Sequence, residues 1–173
     1  MKSFFVTKFF ATAFVALAVS TLFAKTVYVD CQMDDYAGHD GTSWEKAVKT
    51  LTDGITKAAA GDTMLVAKGV YDEGSLAFNA DWGHARLQFS GKANMYVKAV
   101  DGPLETFIVG EPGTFTENAD GSISTNYVRC IQNYNSQDCV VEGFTLMNGD
   151  TGVHPTRNHN RNGSVVCTDN KTT

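Results

Sequence analysis

Asp34, Asp35 and Asp40, with Asp30 just before them, crowd one loop, CQMDDYAGHDGTS, and oxygen donors at that density are what a calcium ion takes. Their spacing is not that of an EF-hand, and Asp and Gly are also the residues of any tight turn. Calcium is the one metal or cofactor these residues suggest, and turn chemistry is their plainer reading. A second group, His154, Arg157, His159 and Arg161, lies in VHPTRNHNRN. Guanidinium forks match carboxylates, so Arg157, His159 and Arg161 are candidates for gripping a uronate or another anionic sugar. The plainer account is a solvated loop.

Lys98, Arg129 and Glu142 fall in strand-like segments without a cluster of Asp at alternating positions beside them, so no catalytic residue is assigned. Tyr71, Phe78, Trp82 and Tyr96 offer faces on which sugar rings stack, or they fill a core. Trp44 is expected in the core. Four cysteines, Cys31, Cys130, Cys139 and Cys167, contain no C-x-x-C pair and allow two disulfides in three connectivities. Cys130 and Cys139, joined by the polar link IQNYNSQD, are the candidates for a bridge, with buried free thiols as the alternative.

The first 24 residues, MKSFFVTKFFATAFVALAVSTLFA, carry Lys2 and Lys8, no acid, and an apolar run from Phe9 to Phe23. That layout is a secretory signal peptide, too short an apolar run for a membrane anchor. Cleavage is placed after Ala24, because the strand-like TVYVD follows, although Ala16-Leu17-Ala18 fits the small-x-small rule better. Loss of this segment removes two lysines and moves the formal net charge from −5 to −7 over the remaining 149 residues. So acidic a chain has no electrostatic case for binding nucleic acid, and no second apolar span inserts into a bilayer. The expected location is secreted, extracellular or at the cell surface. The sequons Asn162-Gly163-Ser164 and Asn170-Lys171-Thr172 matter only in a secretory eukaryotic host.

These groups must be positioned by short elements. Residues 25–62 read as strand TVYVD, the acidic loop and a helix opened by a capping box, Thr42-Ser43-Trp44-Glu45. Trp44, Ala47, Leu51, Ile55 and Ala58 form its apolar face. Thr50 is an alternative cap that would split the helix in two, Gly54 weakens it, and Gly61 is placed to end it. Residues 63–173 become short β-rich runs: TMLVA, RLQFS, NMYVKAV, TFIVG, YVRCI, CVVEGFTLM and SVVCT. Links such as EPG, ENADGS and NGDTG divide them. Short strands that are apolar at consecutive positions, joined by variable links, favour a stacked parallel solenoid over a sandwich of hairpins. Asn133, Asn148 and Asn162 recur after strands as candidates for a stacked ladder.

The blocks DGTSW with AAAGDTMLVAKGVY, then DGP with TFIVG, then VEGFTLMNG, together resemble the N-terminal part of secreted right-handed parallel β-helix proteins of the pectate-lyase-like superfamily. The resemblance spans Thr26 to about Gly152. It implies an all-β solenoid, a right-handed parallel β-helix with an N-terminal capping α-helix. SVVCTDNKTT stops without a closing element, so the chain is expected to be truncated at its C-terminus, since a solenoid needs a cap at both ends. The function implied is a surface or extracellular scaffold, adhesin or carbohydrate-binding module, with polysaccharide or cell-surface glycan as partner. The alternative is the N-terminal portion of a polysaccharide lyase or glycoside hydrolase whose active site lies in later coils. A shared fold does not decide between them.

Overall fold

The computed structural model describes residues 24–34, 37–77, 83–121, 123–150 and 165–168. Strand β1 (Thr26–Val29) pairs in parallel with β2 (Thr63–Val66), β2 with β6 (Tyr96–Ala99), and β6 with β10 (Val140–Glu142). A second sheet orders β3 (Gly69–Tyr71), β7 (Thr106–Val109) and β11 (Thr145–Met147), again parallel. The third holds β5 (His84–Ser90), β9 (Ile123–Tyr134) and β12 (Val165–Thr168) in parallel. Two strands depart from this pattern: β4 (Leu76–Ala77) pairs antiparallel with β5, and β8 (Glu111–Glu117) antiparallel with β9. The described chain is therefore mostly β, in parallel sheets, and its strands visit the first, second and third sheet in that order three times from β2 onward.

Side-chain alternation explains the register of the first sheet. Val27, Met64 and Val97 stand in line and are buried, as do Val29, Val66 and Ala99. The opposite face carries Tyr28, Leu65, Lys98 and Glu142 in one line and Thr26, Thr63, Tyr96 and Val140 in the next. The consecutive apolar residues Met64-Leu65-Val66 thus divide between faces, as a period of two requires. Slipping by one residue would place Lys98 in the core. In the second sheet Tyr71, Ile108 and Leu146 align and pack on the same core as Leu87, Phe89 and Ile131 of the third.

The capping box does not form. Thr42 Oγ1 donates to Asp40 at 2.7 Å instead, and Trp44–Lys46 make a single 3-10 turn with Ser43 providing no side-chain cap. The helix α1 is the seven residues Leu51–Lys57, opened by Thr50, whose Oγ1 accepts from Asp53 N at 3.0 Å. Trp44, expected in the core, is 37% exposed. The helix ends at Ala58, and Gly61, with φ of +83°, turns the chain into β2 three residues later. Gly54 is buried, and a Cβ there would lie 2.6 Å from Val29 Cγ2 and 2.7 Å from Met64 Sδ. Its absence lets α1 lie close against β1 and β2.

Three further expectations are corrected. The run CVVEGFTLM is two strands, broken at Gly143 (φ +83°), where the chain passes from the first sheet to the second. EPG lies within β8 rather than in a link. Asn133 lies inside β9 and Asn148 follows β11, so these two belong to different sheets and do not stack; Asn162 lies outside the described residues.

Candidate functional site

Strand pairing between β6 and β10 sets Lys98 directly opposite Glu142 on the outward face of the first sheet. Lys98 Nζ lies 3.0 Å from Glu142 Oε1, and Tyr96, two residues back on the same face, donates its phenol to Glu142 Oε2 at 2.6 Å. The hydrogen bond from Tyr96, followed by that from Lys98, holds the Glu142 carboxyl below the usual carboxylate range. The same bonds, received by Glu142, push the Lys98 ammonium and the Tyr96 phenol above their ordinary values. All three shifts lead away from neutrality. Proton transfer is served by groups brought toward working pH; here the three side chains are hydrogen-bonded donors and an acceptor.

On the same face, Tyr28 begins the line that ends at Glu142, and Trp44 packs against it edge-on with ring centroids 4.8 Å apart. At a strand spacing of about 4.8 Å the four strands span about 14 Å. One end of that span is aromatic and the other polar.

Arg86, 4% exposed on β5, donates through Nε to Val109 O and through Nη1 to Gly74 O, and its Nη2 lies 2.5 Å from Glu111 Oε1. Arg129, expected with Lys98 and Glu142, is buried elsewhere, with its guanidinium 5.0 Å from the Tyr127 ring centre. A groove of about 310 Å³ runs between α1 and β4–β5, lined by Ile55, Leu76, Gln88 and Lys92 among others. Lys92 Nζ caps the carbonyls of Ile55 and Ala58. A smaller hollow of about 100 Å³ touches Cys31, Lys49, Tyr71 and Glu73. Burial raises both the Cys31 thiol and the Tyr71 phenol.

Asp40 spends its carboxylate on Thr42, accepting from both its backbone N and its hydroxyl, and this holds the carboxyl below its usual range. Asp30 likewise accepts from Gln32 N. Asp34 is exposed, and Asp35 lies outside the described residues. Among the described residues no three acidic, His or Cys side chains gather where they could hold a metal ion. Arg157, His159, Arg161, Phe78 and Trp82 also lie outside them, as does the segment 1–23. Of the other expected stacking residues, Tyr71 is buried, donating to Ala67 O at 2.8 Å, and Tyr96 stands on the outer face. Cys130 and Cys139 are free thiols rather than a bridge. Cys130 Sγ donates to Ile108 O and Met147 O, and Cys139 Sγ to Lys92 O.

Trp44 was missed as a surface residue because its spacing fits the apolar face of a helix that does not extend that far. Among the described residues no helix is long and apolar enough to cross a membrane. Comparisons with protein-family models, with curated proteins and with solved structures find no match.

Proposed function

We propose that this chain is an exported β-helix segment that binds neutral polysaccharide or cell-surface glycan on the outer face of its first sheet and performs no catalysis there. The parallel register of strands that return to three sheets in a constant order supports a right-handed parallel β-helix, with α1 as its N-terminal cap. Lys2, Lys8 and the apolar run Phe9–Phe23 support export.

One observation carries the glycan reading: Tyr96, Glu142 and Lys98 bond one another on an outward face that continues to the Tyr28–Trp44 pair. Sugar rings need an apolar face to lie on and oriented hydrogen-bonding groups at their hydroxyls, and this surface supplies both. Glu142 and Lys98 neutralise each other, and a net charge of −7 after leader removal disfavours a polyanion. A neutral glycan is therefore the best-matched partner.

Affinity electrophoresis through gels containing xylan, galactomannan or hydroxyethyl cellulose, with polygalacturonate as the charged comparison, tests this. Retardation by a neutral polymer that Tyr96→Ala and Glu142→Ala abolish is expected. Migration unaffected by every neutral polymer, or unsaturated product released from polygalacturonate, overturns it.

A further inference from the structure

At the start of β1 the backbone nitrogen of Lys25 donates to Asp62 Oδ1 at 2.9 Å. Asp62 is 3% exposed; its other oxygen accepts from Ala59 N at 2.7 Å and has Lys25 Nζ 4.0 Å away. Lys25 makes two further hydrogen bonds: its Nζ donates to Lys57 O at 2.7 Å, and its carbonyl accepts from Thr63 N at 2.9 Å. Ala24, immediately before it, is exposed. A buried carboxylate is stabilised far more by an ammonium than by an amide. Of the two backbone nitrogens that bond it, that of Lys25 belongs to a peptide bond that a leader peptidase is expected to cut.

We propose that Ala24–Lys25 is the processing site and that cleavage completes the fold by converting the Lys25 nitrogen into an α-ammonium ion-paired with Asp62. Water adds to the Ala24 carbonyl carbon and the bond from that carbon to Lys25 N breaks. Ala24 leaves as a carboxylate, and the released nitrogen takes up protons as an ammonium. Cutting after Ala18 would instead leave six residues attached and Lys25 N an uncharged amide. This inference rests on the export reading and on the cleavage position placed from the sequence, and it adds a structural consequence.

The full precursor is produced in a host with a general secretory pathway, and the intact mass of the exported protein is measured. Chains beginning at Lys25 are expected. Exported chains beginning at Val19 or elsewhere overturn the site while leaving export standing; an uncut precursor retained in the cell overturns both. A glycine inserted between Ala24 and Lys25, with the cut still after Ala24, moves the charge off Asp62. It should lower Tm by about 3 °C, the scale of one charge-assisted contact in a chain of this size. In an Asp62→Asn background that shift should vanish, and an equal shift in both backgrounds overturns the ion pair. Should Asp62→Asn fail to accumulate, acylation of the α-amine is compared between the Lys25 and glycine-extended forms. Several-fold slower labelling of Lys25 is expected, and equal rates overturn the pair.

Discussion

Lys98 and Glu142 stand opposite one another on adjacent parallel strands, with Nζ and Oε1 3.0 Å apart, and Tyr96 holds the other carboxylate oxygen at 2.6 Å. A parallel ladder keeps equivalent residues on one face, so residues 44 positions apart in the chain share one surface patch without any local motif.

The Glu142 carboxyl is held low by Tyr96 and Lys98, so its contribution is present above the ordinary carboxylate range and is lost as pH falls through its depressed value. The raised Lys98 and Tyr96 act oppositely: their contribution is present at neutral pH and lost as pH rises through their elevated values. In an NMR titration of the Glu142 side chain, Tyr96→Phe and Lys98→Met should each move its midpoint upward. The exposed site should leave Tm nearly unchanged.

Gly54→Ala tests how closely α1 approaches the sheet. In an exposed helix this change stabilises by about 1 kcal/mol. Here the new Cβ meets Val29 and Met64, so thermal denaturation should show a loss of about 1–3 kcal/mol.

Arg86 joins two sheets through Val109 O, Gly74 O and Glu111. Arg86→Ala removes all three contacts and should destabilise by about 2–4 kcal/mol in urea titration. Glu111→Gln keeps a hydrogen-bond acceptor, and Glu111 is half exposed, so its effect should be smaller, about 1 kcal/mol.

The thiols give a covalent readout. Cys130 is buried, and burial raises the Cys139 thiol. Both should resist iodoacetamide at pH 7.5 in the folded protein and react rapidly in guanidinium. Cys130 and Cys139 share the tryptic peptide 130–157, and finding that peptide two hydrogens lighter than its reduced form would contradict the free-thiol arrangement.

The β content was legible because β2, β6 and β7 are short apolar runs punctuated by Gly, Asn and Asp, a local signal. Parallel stacking was inferred from strand and link lengths and from resemblance, whereas the grouping into three sheets follows from the pairing, and β4 and β8 were missed. Leu76–Ala77 is too short to show a period, and Pro112-Gly113 reads as a turn although β8 absorbs it at a register shift. The capping box failed because Asp40 competes for the Thr42 hydroxyl at 2.7 Å, a contact that the Thr-x-x-Glu spacing does not encode. Tyr96 was picked out as an aromatic, but its partnership with Glu142 depends on strand register and had no sequence signal. Asp62 had no sequence signal of its own, since its role requires Lys25, 37 residues earlier.

The most direct measurement is neutral-polysaccharide affinity electrophoresis of the exported protein beside Tyr96→Ala and Lys98→Ala, with circular dichroism confirming that each variant is folded. Retardation of the wild type that both variants lose is the predicted result. Equal retardation of all three, or of none, would contradict a glycan-binding face on the first sheet.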